Sequence, residues 1–249
     1  MIKHVEIINK GGNILRGYLD MPENFNGEVV VMFHGFTGNK MEHAKHFINF
    51  SRIISKYGFA SLRLDFYGNG ESDGEFKDFT MDTLMSDAEI IINSAFNMSN
   101  VTKVTLLGFS MGGGVSVYMS SKFGNKLSKI LLWSAAVNIT DIIKRCFENS
   151  PKLENGNAQY GTFEISENMY DSLSKYNITE GISKFTNPVM LIHGRNDKAV
   201  EYLHSVRTTV LYPNSRLHII NTAGHGYDAN SERDELYQKS LEFLLENRK

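Results

Sequence analysis

The sequence predicts an α/β fold: a mostly parallel central sheet with helices on both faces and an inserted cap before the last two strands. Three observations carry this expectation. From residue 28 onward, short apolar runs alternate with stretches of helical periodicity, the pattern of parallel βα units. The run Glu28 to Phe33 (EVVVMF) is almost wholly apolar, as a strand covered on both faces must be. Twelve of the 21 glycines (35, 38, 68, 70, 74, 108, 112, 113, 114, 194, 224 and 226) fall in five loops that follow predicted strands, at the edge where an open α/β sheet binds its ligands.

Taken in order, His4 to Asn9 and Asn13 to Met21 flank a turn at Gly11-Gly12 and read as antiparallel strands. After the strand at 28–33, apolar residues from Met41 to Tyr57 recur at helical spacing and stop at Gly58. Strand Phe59 to Asp65, helix Met81 to Phe96, strand Lys103 to Phe109, helix Met111 to Phe123 and strand Lys129 to Trp133 continue the alternation. It resumes with strand Pro188 to His193, a helix around Tyr202 to Leu211 and strand Arg216 to Asn221. A final amphipathic helix is expected from Ser231, with Asp234 completing a capping box. Residues 134–187 break the rhythm: 54 residues between two core strands are far more than an ordinary connection needs. They hold helical candidates at Ile139 to Phe147 and Glu167 to Tyr176 and a strand-like Tyr160 to Phe163. The expected organisation is one core, 1–133 with 188–249, carrying the insert 134–187 as a cap.

Composition narrows the function. With 41% hydrophobic residues and a net charge of −2, the chain is too apolar for disorder. A single cysteine, Cys146, excludes an internal disulfide and reads as an inert buried thiol. The 26 basic and 28 acidic residues form no long run of either sign, so no nucleic-acid footprint is expected. No apolar run reaches membrane-spanning length. Met1 to Glu6 alternates apolar and charged residues without a signal-peptide stretch, which points to a cytoplasmic protein.

The chemistry resides in the strand-end loops. Gly108-Phe109-Ser110-Met111-Gly112 joins an apolar strand to a helix, the setting in which Gly-x-Ser-x-Gly forms a nucleophile elbow. A serine needs an adjacent base held by a third group. Asp197 and His225 follow the ends of two later strands, in the Ser, Asp, His order expected on this scaffold. The Met111 amide is one candidate oxyanion donor, and the loop His34-Gly35-Phe36-Thr37-Gly38 offers a second from Phe36. His193 is expected to brace its loop and Asp228 to be a solvated or helix-leading carboxylate. His43 and His46 are expected on a solvated face, because no carboxylate or cysteine partner makes a metal site with them. His4, His204 and His218 read as peripheral. Gly68-x-Gly70 fails the dinucleotide fingerprint because position 73 is Asp, leaving a loop that borders the site.

With these residues in place the chain resembles the α/β hydrolases over essentially its whole length, and within them the bacterial feruloyl (cinnamoyl) esterases. The shared features are His34-Gly-Phe-Thr-Gly38, the Asp65-Phe-x-Gly-x-Gly-x-Ser72 loop, Gly108-x-Ser-x-Gly-Gly113 and a cap before the last two strands. The resemblance implies hydrolysis of hydroxycinnamate esters without a metal or organic cofactor. It also implies Ser110, Asp197 and His225 as triad and Phe36 and Met111 as oxyanion donors. His34, Asp141 and Tyr170 are then candidates for substrate binding, the last two at the phenolic end. The partner is a small-molecule ester, with neither nucleic acid nor membrane, and a homodimer is compatible with it. Monoacylglycerols or short acyl esters are the alternative substrates, and a catalytically silent binding module on the same fold is the alternative of another class.

Overall fold

A computed structural model describes residues 1–246 of the chain. Strands β1 (Ile2–Ile8), β2 (Ile14–Asp20), β3 (Glu28–Phe33), β4 (Ala60–Leu64), β5 (Lys103–Phe109) and β6 (Lys129–Trp133) precede the insert. Within it lie β7 (Ala158–Tyr160) and β8 (Phe163–Ile165), and after it β9 (Val189–Gly194) and β10 (Ser215–Ile220). Eight of them form one sheet in the order β1-β2-β4-β3-β5-β6-β9-β10. Within this sheet the β1–β2 and β2–β4 pairings are antiparallel, and β4, β3, β5, β6, β9 and β10 run parallel.

Every residue of β3 is buried, yet its side chains still alternate between two cores, as a pleated strand requires. Val29, Val31 and Phe33 join Val104, Leu106, Ile130, Leu132, Val189 and Leu191 on one face. Val30 and Met32 join Leu107, Phe109, Leu131, Trp133 and Ile192 on the other. Helices α1 (His46–Ser55) and, near the C-terminus, α7 (Asn230–Leu245) cover the second face. Helices α2 (Met81–Phe96) and α3 (Met111–Phe123) cover the first. Thr80 caps α2 by a reciprocal pair of hydrogen bonds with Thr83. The orphan carbonyls that end α7 accept from the buried Lys129 ammonium, which reaches Phe243, Leu244 and Glu246.

The insert contains α4 (Ile139–Asn149), the β7–β8 hairpin and α5 (Glu167–Ser172), and α6 (Leu203–Leu211) lies between β9 and β10. Its apolar residues Ile139, Ile143, Phe147, Ile165, Met169 and Ile182 belong to the same core as α2 and α3. It therefore continues one face of the sheet as well as bordering its edge. The Ser172 hydroxyl accepts the first amide of α2, Met81 N–H, at 3.0 Å.

Three expected elements differ. The strand at Tyr160 to Phe163 is a tight hairpin, because Gly161 takes φ 59° and folds Phe163 back opposite Tyr160. The helix expected from Met41 starts only at His46, because Glu42, Ala44 and Lys45 hold positive φ and cannot continue a helix. The last helix starts at Asn230, and its box pairs the Ala229 amide with Glu232, two positions before the expected Ser231 and Asp234. Among the described residues no helix is long and apolar enough to cross a membrane.

Candidate active site

Ser110 sits between β5 and α3 with φ 51° and ψ −115°, a strained backbone for a residue with a side chain. The surroundings fix it. Its amide donates to the Trp133 carbonyl at 3.0 Å, and its carbonyl accepts from Gly113 at 2.9 Å and Ala136 at 2.8 Å. Gly112 must lack a side chain, since a Cβ there would collide with the Phe33 carbonyl and hold α3 away from β3.

The structure brings Ser110, His225 and Asp197 together. The Ser110 hydroxyl lies 3.0 Å from His225 Nε2, and His225 Nδ1–H donates to Asp197 Oδ2 at 2.7 Å. Asp197 is almost fully buried. Its Oδ1 accepts the Ala199 and Val200 amides at 2.9 and 2.8 Å. Its Oδ2 takes a second ring contact from His193 Nε2 at 3.1 Å, while Ser205 holds His193 Nδ1 at 2.7 Å. Burial alone would raise the Asp197 pKa, but the hydrogen bonds from His193 and His225 overcome it and hold the carboxyl below the usual carboxylate range. An anion fixed at Nδ1 sets the His225 tautomer and leaves Nε2 as acceptor for the serine proton.

The amides of Phe36 and Met111 flank this chain, and neither donates to any group among the described residues. The loop carrying Phe36 is clamped from two sides. The Gly35 amide donates to Glu42 Oε2 at 2.6 Å. Further on, the buried Lys40 ammonium reaches Asp65 at 2.6 Å and Glu71 at 2.7 Å, and the Lys40 amide donates to Asp65 at 2.5 Å. Burial disfavours the Lys40 charge, yet the hydrogen bonds to Asp65 and Glu71 hold its pKa above the ordinary lysine value. Gly70 (φ 55°) must be glycine, because a Cβ would strike the Asp65 carboxylate. The Asp65–Ser72 loop, which the sequence places only at the border of the site, is thus the anchor of the Phe36 loop.

His34, a candidate for substrate binding, is fully buried with both ring nitrogens occupied: Nδ1–H donates to the Gly35 carbonyl and Nε2 accepts the Phe66 amide. It braces the loop and offers no group to a substrate. His46, expected on a solvated face, is also fully buried; Nε2–H donates to the Gly226 carbonyl at 2.8 Å and Nδ1 accepts from Tyr237 at 2.7 Å. Its pKa is lowered, chiefly by that burial. The helical spacing of His43 and His46 is misleading because the chain between them is not helical. His43 stays exposed and pairs with the equally solvated Asp228 at 2.7 Å. Buried Tyr227 pins the His225 loop from below, donating to the Ile192 carbonyl. Asp141 and Tyr170 share a hollow of about 430 Å³ within the insert, which no residue of the Ser110 chain lines. The Tyr170 hydroxyl donates to Glu148 at 2.8 Å. Cys146 is half-buried, and burial pushes its thiol pKa up. Among the described residues no cluster of three or more His, Cys, Asp or Glu side chains is arranged to hold a metal.

Residues 26–156 match the family model described as Hydrolase_4, serine aminopeptidase S33. The chain belongs to this α/β-hydrolase family. This hydrolase is 22% identical over 242 residues to the AB hydrolase superfamily protein YisY of Bacillus subtilis, covering 81% of the chain and 86% of the relative. It is 25% identical over 258 residues to a 2-hydroxy-6-oxononadienedioate/2-hydroxy-6-oxononatrienedioate hydrolase of Escherichia coli, covering 87% of each. Among solved structures, ferulic-acid-bound Est1E from Butyrivibrio proteoclasticus superposes with a TM-score of 0.83 at 26% identity, over 96% of this chain and 99% of that one. An esterase from Exiguobacterium antarcticum shares the fold with a TM-score of 0.72 at 20% identity, over 97% and 99% of the two chains.

Proposed function

We propose that this hydrolase is a serine esterase that cleaves carboxylic esters through an acyl-enzyme, with feruloyl and cinnamoyl esters as its substrates. The observation that carries the reading is the unbroken hydrogen-bonded chain from Ser110 through His225 to buried Asp197, set on a strained elbow beside two unpartnered amides. His225 takes the Ser110 proton as the hydroxyl oxygen attacks the ester carbonyl, and Asp197 stabilises the imidazolium that forms. The Phe36 and Met111 amides receive the oxyanion, each worth about 10²–10³ in rate. Collapse breaks the bond to the alcohol oxygen, which leaves with the proton from His225. Water then attacks the acyl-serine by the same route and restores the serine hydroxyl.

The hydroxycinnamate half of the reading is supported by the likeness to ferulic-acid-bound Est1E across nearly the full chain. In this reading Asp141 and Tyr170, which share a hollow in the insert, contact the phenolic end of the acyl group. Rates on methyl ferulate, short aliphatic esters and a monoacylglycerol, measured side by side, test the substrate class. Methyl ferulate is expected to be hydrolysed fastest; a strong preference for monoacylglycerol overturns that assignment. Wild-type-like turnover by Ser110→Ala overturns the mechanism.

A further inference from the structure

A second hollow, of about 530 Å³, adjoins the triad, lined by His225 and by Phe109, the neighbour of Ser110. Phe36, Thr37, Glu42 and His43 from the loop after β3, and His225 and Asp228 from the loop after β10, form most of its wall; no residue of 134–187 lines it. His225 must return its proton to the departing alcohol oxygen, so the leaving group occupies space that His225 faces. Of the two hollows described, this is the one His225 lines.

The charges of its wall are fixed by the fold. Both Glu42 oxygens accept main-chain amides, Gly35 at 2.6 Å and His43 at 2.8 Å, which hold the carboxylate at the site. Asp228 is held by His43 at 2.7 Å. Two carboxylates, Glu42 and Asp228, share the wall with two imidazoles, His43 and His225, so it is net negative whenever at least one of the two rings is neutral. A phosphorylated or carboxylated alcohol meets repulsion there, whereas an ammonium is attracted.

We propose that this hollow is the alcohol subsite, and that it selects polar alcohols without negative charge, cationic amino alcohols foremost. The proposal rests on the esterase reading above. The test uses one acid, ferulate, esterified to methanol, glycerol, choline and glycerol phosphate, with each kcat/KM divided by that ester's own hydroxide-catalysed rate. At low ionic strength the choline ester should exceed the glycerol phosphate ester about tenfold, with glycerol between them, and the gap should close towards parity near 1 M salt. Asp228→Asn should shrink the choline-to-phosphate ratio about threefold. Turnover of the methyl ester with equal or faster cleavage of the phosphate ester, or a ratio indifferent to both salt and Asp228→Asn, overturns the subsite alone. Failure to turn over any of the four esters overturns the feruloyl assignment on which the proposal rests, and leaves the serine-esterase mechanism to the Ser110→Ala test.

Discussion

The loops at the C-terminal edge of the sheet and the insert between β6 and β9 touch, through Phe36 on Tyr160 and Phe76 on Phe163, yet they are specified in opposite ways. The loops are held by buried polar contacts of fixed geometry: Lys40 on Asp65, His46 on Gly226, Tyr227 on Ile192 and His193 on Asp197. The insert is held by apolar side chains at helical spacing, Ile139, Ile143 and Phe147, that extend the α2–α3 core. Polar contacts tolerate little displacement before a buried group is left unpaired, whereas an apolar face accepts many sequences of similar volume. A site that demands exact placement is built from the first kind of contact, and a wall that shapes a binding space can be built from the second.

The largest expected effect tests the polar region. Asp197→Asn keeps the shape of the side chain but presents the wrong partner to His225 Nδ1, and should lower kcat on an ester about 10³–10⁴-fold while the fold persists. Stopped-assay kinetics together with circular dichroism check it; a loss under tenfold would remove Asp197 from the proposed triad. Next, Lys40→Met strands the buried Asp65 carboxylate without its counter-ion, and should cost about 3–5 kcal/mol in a urea titration. An unchanged midpoint would show that the Phe36 loop is anchored some other way. In the insert, Ile143→Ala empties a fully buried site and should cost about 2–5 kcal/mol, as a sheet-core residue would. A cost below about 1 kcal/mol would mean that the insert is laid on the core and not part of it.

The smallest effect concerns Asp87, buried on α2, which accepts the Tyr67 amide at 2.9 Å and Asn9 at 3.1 Å. Burial, only partly offset by these two hydrogen bonds, raises its pKa from 3.8 to about 6. Because the folded value lies above the unfolded one, its contribution to stability is fully present below pH 3.8 and is lost as pH rises through 6. Asp87→Asn removes that loss. Thermal melts should show the variant more stable than the parent at pH 8, by about 1–2 kcal/mol, with the advantage gone near pH 4. An advantage independent of pH would contradict the buried carboxylate as its source.

The same contrast governs how much could be read from the sequence. The eight sheet strands and the loops bearing Ser110, Asp197 and His225 were legible because each rests on neighbouring residues: an apolar run, then glycines, then the polar side chain. Gly112 and Gly70 belong to such local patterns. The contacts that hold those loops were not legible, because they join residues far apart in the chain. His46 reaches Gly226 and Tyr237 across 180 and 191 positions, and no local spacing marks it. The helical reading of residues 41–45 failed for a local reason too, since apolar spacing carries no sign of the positive φ at Glu42, Ala44 and Lys45. In the insert the helices were legible from periodicity, but the tight turn at Gly161 was hidden in an apparently continuous strand.

The central claim is that Ser110 is a nucleophile activated by His225. Incubation with a fluorophosphonate probe, followed by intact-mass and peptide analysis, tests it most directly. The account predicts one adduct per chain, on Ser110, with labelling slowed at least a hundredfold in His225→Ala. Folded protein that takes up no probe, or carries it on another residue, would contradict the account.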